Sequence, residues 1–223
     1  HATYNESISR FLDVIEEVNR ETPLNGLPWF FDHAETITVE NLQRIKLLEG
    51  GIAIQHRMAY QGESFVHRYG KKAAQDAPPV KKMLEMGIPV GMGTDGTRVA
   101  SYNPWMALYW FTTGKTIGGT QVMAKENIID RITALRLFTS GGYSLIKESE
   151  KGKIQKNYYA DLIILDKDYL TVNDEEIKSI SSVLTIVDGK IVYGNGDYKT
   201  YTSQALPVIP AWSPVKYFGG YQY

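Results

Sequence analysis

Three side chains have the types and spacing to act together: His1, His33 and Asp95. Two imidazoles and a carboxylate form a suitable ligand set for zinc or a similar divalent ion, which lowers the pKa of bound water to about 7. A carboxylate beside such a water can also take its proton, so Asp95 is read as both metal ligand and catalytic base. The chain has no cysteine, so metal ligands must come from His, Asp and Glu. His1 and His33 are 32 residues apart, and His33 and Asp95 are 62 apart. A (β/α)8 barrel of about 250 residues uses about 31 per strand–helix unit, so these intervals are one and two units.

Each residue also has a plainer reading. A lone histidine is most often a surface or satisfied core residue, and an aspartate beside glycine is usually a turn former. Asp95 lies in Gly91-Met-Gly93-Thr-Asp95-Gly96, which also matches the dinucleotide fingerprint. That fingerprint needs a helix directly after the glycines and an acidic residue about 20 positions on. Here a loop, Thr97 to Pro104, follows, and no acidic residue occurs between Asp95 and Glu126. The spacing back to His33 therefore favours the metal-ligand reading. His56 ends another apolar run and is a candidate for substrate contact, with Arg57, Tyr60, Arg98 and Trp105 as further candidates in or near the same presumed loops. For these the default is an ordinary loop role. His67 lies in a polar stretch and is taken as surface.

These residues need strands that end where they stand. Ile8, Phe11, Leu12, Ile15 and Val18 recur at helical spacing within Asn5 to Arg20. Leu27 to Phe31 reads as a buried strand, and Thr38 as the cap of a helix carrying Leu42, Ile45 and Leu48 that Gly50-Gly51 end. Ile52 to Arg57 reads as a second strand, Pro79 to Met86 as a helix and Ile88 to Met92 as a third strand. Short buried strands alternating with amphipathic helices argue for a parallel sheet covered by helices. After a long helix over Ile128 to Leu145 the pattern changes to apolar runs from Ala160 and Val183. The second is divided by Asp188-Gly189, a strong hairpin signal. The segment from Pro207 onward has no periodicity and is expected to lie over the surface.

Composition narrows the partner. With 24 basic and 25 acidic residues no field draws nucleic acid or an anionic membrane, so a small-molecule substrate is expected. No apolar run approaches the roughly 20 residues a membrane span needs, so no transmembrane segment is expected and a soluble, by default cytoplasmic, protein is. The chain opens on His1 rather than Met, so a targeting segment upstream is left open.

The ordered series His1-Ala-Thr, Asp32-His33-Ala34, Gly93-Thr94-Asp95 with Asn103-Pro104, Gly152-Lys-Ile, Ala160-Asp161-Leu-Ile-Ile-Leu-Asp166 and Thr185 to Tyr193 resembles the amidohydrolase superfamily. Within it the chain most resembles amidohydrolase family 3, of which the YtcJ-like metal-dependent hydrolases are examples. The resemblance implies an α/β fold: the C-terminal half of a (β/α)8 TIM-type barrel followed by part of a small β-sandwich. It divides the chain into residues 1–150 (barrel strands six to eight and their helices), 151–200 (part of the sandwich, with Asp161 structural) and 201–223 (an irregular tail). It implies His1, His33 and Asp95 as ligands after strands five, six and eight, one or two zinc or other divalent ions, and hydrolysis of amide or other C–N bonds. Substrates such as N-acyl amino acids and cyclic amides would follow. Asp32 stands where a glutamate commonly precedes the strand-six histidine. The family's His-x-His after strand one and its bridging residue have no counterpart, because strands one to five would lie before His1. An isolated half barrel exposes strand edges, so association with the missing N-terminal half or another copy is expected, and the isolated fragment is expected to be inactive. The competing expectation is a non-catalytic ligand- or partner-binding protein that keeps the fold.

Overall fold

A computed structural model describes residues 1–96 and 99–202. The tail from Pro207 lies outside the described residues. Helix α1 (Asn5–Glu21) leads to strand β1 (Phe30–Asp32), α2 (Val39–Leu47) to β2 (Gly51–Ile54), and α3 (Met58–Tyr69), α4 (Lys71–Gln75) and α5 (Val80–Glu85) to β3 (Val90–Met92). The three strands form one parallel sheet in the order β1-β2-β3, and Ala2 adds a parallel bridge to His33 beside β1. Four successive chain segments therefore run side by side in one direction, with helices between them.

The strands are shorter than the apolar runs suggest. Leu27 to Trp29 stay outside β1, since Pro28 has no N–H for a ladder and Leu27 is exposed. Gly50-Gly51 do not end α2 as expected. The left-handed residue is Glu49 (φ 55°), and Gly50 instead gives room to Trp29, whose ring would stand 2.3 Å from a Cβ. Thr38 occupies the N-cap of α2 without a side-chain cap bond, and its N–H donates to Asn5 Oδ1 at 3.0 Å.

Helix α6 (Pro104–Thr113) is capped by Asn103, whose side chain accepts from Trp105 N at 3.0 Å. Its Trp105 and Ala107 to Phe111 are all buried, so it is a core helix apolar on every side. The next helix starts at Arg131 rather than Ile128, because Asp130 caps it through Thr133 N. Helix α7 (Arg131–Arg136) continues through a π turn (Leu137–Gly141) into α8 (Gly142–Leu145). The turn presses against β3: a Cβ on Gly141 would lie 2.6 Å from Val90 O, and one on Gly91 2.9 Å from Gly142 Cα. A Cβ on Gly96 would lie 2.3 Å from Tyr102 Cα. Two of the three fingerprint-like glycines therefore serve close packing.

A second sheet is antiparallel, in the order β4 (Leu162–Leu165), β5 (Ser182–Val187), β6 (Lys190–Gly194). Asp188 and Gly189, at φ 49° and 72°, turn β5 into β6 as a primed hairpin, and Asp161 Oδ1 accepts from Asp188 N at 2.8 Å. Helix α9 (Asp174–Ile177) ties this part to the first through Tyr109 Oη, which donates to Glu175 Oε1 at 2.9 Å. Among the described residues no helix is long and apolar enough to cross a membrane.

Candidate active site

The C-terminal ends of the parallel strands meet around one cavity of about 380 Å³, lined by His1, Thr3, His33, Gln55, Arg57, Asp95 and Val99. Backbone bonds set these tips in place. Ala34 N donates to Ala2 O (3.0 Å), His33 N to Ala53 O (2.8 Å) and Gly93 N to Ile54 O (2.9 Å). His33, Ala34 and Asp95 have φ of 81°, 49° and 47°, a left-handed conformation that costs a non-glycine residue free energy and is concentrated at functional sites. The chain turns sharply at those points, and the side chains of His33 and Asp95 line the cavity while Ala34 is buried in the core.

His1 Nδ1 and His33 Nε2 stand 2.7 Å apart, and their ring centroids are 4.8 Å apart. Asp95 Oδ2 approaches the other nitrogen of His33, Nδ1, at 3.9 Å. The donor types suit a zinc-class ion, and His1 and His33 direct nitrogens at one point. Two nitrogens on a tetrahedral ion would stand about 3.3 Å apart, so the observed contact is that of a ring-to-ring hydrogen bond. Asp95 meets the opposite edge of the shared ring. Among the described residues no three His, Asp or Glu side chains are placed to hold an ion together.

The remaining candidates separate. Arg57 lines the cavity. His56 is fully buried, its ring packs edge-on to Tyr60 with centroids 5.7 Å apart, and neither ring nitrogen has a hydrogen-bond partner among the described residues. Burial pushes its pKa down to about 4, against the smaller opposing effect of the Asp95 charge. Tyr60 lies on α3 away from the cavity wall. Trp105 stands next to the loop, in the first turn of α6, buried, with its ring 5.7 Å from that of Tyr169, and is not among the residues that line this cavity. Arg98 lies outside the described residues, and His67 is exposed as expected.

Sequence reasoning missed Glu35 and Gln55. Glu35 is fully buried and takes Arg57 Nε (2.8 Å) and Gln55 Nε2 (2.9 Å) on Oε1, and Arg57 Nη2 on Oε2. Gln55 Oε1 in turn accepts the backbone N–H of Arg57. Their one sequence signal is position: Glu35 lies three residues after β1 and Gln55 one residue after β2.

The profile of the amidohydrolase family matches residues 1–193. The chain belongs to the amidohydrolase family. The chain is 24% identical to the putative amidohydrolase YtcJ of Bacillus subtilis over 82% of its own length and 35% of the relative's. It is 31% identical to a 5-methylthioadenosine/S-adenosylhomocysteine deaminase of Syntrophomonas wolfei, over 73% of the chain and 39% of the relative. With the N-substituted formamide deformylase of Arthrobacter pascens the identity is 25%, over 86% and 36%. The chain thus spans 35% to 39% of the length of these relatives. Its fold is similar to that of an uncharacterized metal-dependent hydrolase from Pyrococcus horikoshii, with a TM-score of 0.66 and 24% identity over 78% of this chain and 34% of that one. A variant of atrazine chlorohydrolase TrzN from Arthrobacter aurescens, in complex with zinc and atraton, matches with a TM-score of 0.54 and 18% identity over 74% and 36%.

Proposed function

We propose that the chain is the C-terminal portion of a metal-dependent hydrolase that cleaves an amide or other C–N bond with activated water. One observation carries this reading: His33 and Asp95, which follow β1 and β3, and His1, beside the Ala2 bridge to His33, line a single cavity. The C-terminal face is where barrel enzymes keep their chemistry. In this reading residues 1–150 are the second half of a (β/α)8 barrel, 151–200 part of a β-sandwich and 201–223 a tail. The barrel is completed by its N-terminal half or by another copy. The deaminase and deformylase relatives both act, by name, at carbon–nitrogen bonds, which supports the reaction class.

His1 and His33 would hold a zinc or related ion, one or two in the complete protein, and Asp95 would join them as a ligand only by moving its carboxylate from the Nδ1 edge of His33 to the side that faces His1. Held there, such an ion would supply Lewis acidity, making bound water acidic enough to ionise near neutral pH. Asp95, more exposed than His33, accepts the proton released by the attacking water on a carboxylate oxygen and returns it to the departing nitrogen. His33, fixed between β1 and the Ala2 bridge, keeps the carboxylate at the cavity edge. The buried Glu35 holds Arg57 at the cavity.

The test is Asp95→Asn in the complete, metal-loaded protein, assayed on N-substituted formamides, N-acyl amino acids and adenosine derivatives. Hydrolysis by the parent and a loss of about 10²–10⁴ in kcat are expected. A variant as fast as its parent overturns the mechanism. The 2.7 Å ring-to-ring contact of His1 and His33, which is a hydrogen bond as it stands, favours a second reading, a ligand-binding protein that keeps the fold without turnover. Absence of both metal and hydrolysis in the complete protein decides for that reading.

A further inference from the structure

A second groove, also of about 380 Å³, shares no described lining residue with the cavity of His1, His33 and Asp95. Tyr102, Pro104 and Trp105 reach it from the start of α6 and the residues before, and Ile163 and Tyr193 from β4 and β6. Ile163 and Tyr193 both pair with Thr185 of β5, so they stand in one row across the sheet, and both are exposed. None of the described residues that line the groove carries a charge. Its walls are aromatic and aliphatic, with Asn103 and two serines among them.

The chain itself supplies a segment of matching chemistry at that place. Thr202, the last described residue, is tied to the end of β6: its Oγ1 donates to Gly194 O at 2.6 Å and accepts from Gly194 N at 3.0 Å. Tyr193, the neighbour of Gly194, lines the groove, so the residues that follow start beside it. They read Ser203-Gln-Ala-Leu-Pro207-Val-Ile-Pro210-Ala-Trp212-Ser-Pro214, with no charged side chain before Lys216. Proline fixes φ near about −65° and has no N–H, so this sequence favours polyproline II and is unsuited to an inner strand. At about three residues per turn, Pro207 and Pro210 fall on one edge. Aromatic-lined grooves take such Pro-x-x-Pro segments, which have little conformational entropy left to lose. Only residues 203–206 separate Thr202 from Pro207, and a link that short sets an effective concentration on the order of millimolar, which favours this occupant over a separate molecule.

We infer that residues 206–214 bind in this groove of their own molecule and brace the turn that carries Asp95. The route to Asp95 is short. A Cβ on Gly96 would lie 2.3 Å from Tyr102 Cα, so the backbone at Tyr102 rests on the residue after Asp95, and a bridge joins Gly96 to Ala100. A segment seated against Tyr102 therefore holds the turn from behind. The inference stands apart from the hydrolase reading, since it concerns only where the chain binds itself.

The experiment places the photocrosslinker p-benzoylphenylalanine at position 208 of the complete protein and maps the crosslinked peptides by mass spectrometry. The main product is expected to join position 208 to peptides carrying Tyr102, Ile163 or Tyr193 of the same molecule. A Pro207→Ala, Pro210→Ala double variant, which leaves the groove untouched, and Tyr193→Ser are each expected to lose that product, while Tyr193→Phe, which keeps the ring, retains it. Amide hydrogen exchange of residues 100–103 is expected to quicken about tenfold in the double variant. Crosslinks elsewhere on the molecule, crosslinks to a second copy, or a groove product that survives both the double variant and Tyr193→Ser each overturn the docking. Unchanged exchange in the double variant overturns the bracing of the Asp95 turn.

Discussion

His1 and His33, 32 residues apart in the chain, face each other with Nδ1 and Nε2 2.7 Å apart. The parallel bridge between Ala2 and His33 brings them together, so the contact follows from strand pairing rather than from flexible side chains finding each other. The pair can share one proton as it stands or, slightly spread, one metal ion. On the proposed reading, chelation of the complete protein abolishes hydrolysis and added Zn²⁺ restores it, measured as rate against metal content. His33→Ala lowers metal content and activity together.

Breaking the clamp behind Arg57 is costly. Glu35→Ala leaves Arg57 half-buried without its carboxylate, and the conformational stability falls by about 3 kcal/mol in urea unfolding. Replacing both partners with neutral side chains of similar size recovers much of that loss. Equal losses for the single and double variants contradict the ion-pair account.

The glycines around Asp95 differ in what they do. A Cβ at Gly91 would stand 2.8 Å from Leu145 Cδ1 and 2.9 Å from Gly142 Cα, so Gly91→Ala forces α8 away from β3 at about 1–3 kcal/mol. At Gly93 a Cβ meets nothing within 4 Å, so Gly93→Ala changes the thermal midpoint little. A nucleotide-binding loop would make no such division.

His56 makes the fold acid-sensitive. Its folded pKa of about 4 lies below the ordinary histidine value near 6.5, so the unfolded chain takes up this proton first. Stability is therefore full above about pH 6.5 and declines as pH falls toward 4, by at most about 3 kcal/mol from this group. Urea unfolding at pH 7 and pH 4.5 measures it, and His56→Leu flattens that part of the pH profile. An unchanged profile shows that the acid sensitivity lies elsewhere.

The alternation of strands and helices, the one-unit and two-unit intervals between His1, His33 and Asp95, and the Asp188-Gly189 hairpin are legible in the chain alone. They rest on local periodicity and turn chemistry, which neighbouring residues determine. The tertiary structure decided what each polar residue meets. Glu35 and Arg57 are 22 positions apart, and no local pattern shows that one is fully buried and the other clamped on the cavity wall. His56 and Trp105 carry site-like residue types, yet one is sealed in the core and the other packs into a core helix, because burial depends on which distant segments arrive. Asp95 is visible from its sequence as a carboxylate after a strand. That it meets the edge of the His33 ring opposite His1 follows only from left-handed turns at both strand ends, where the assembled sheet offsets the cost of the strained backbone.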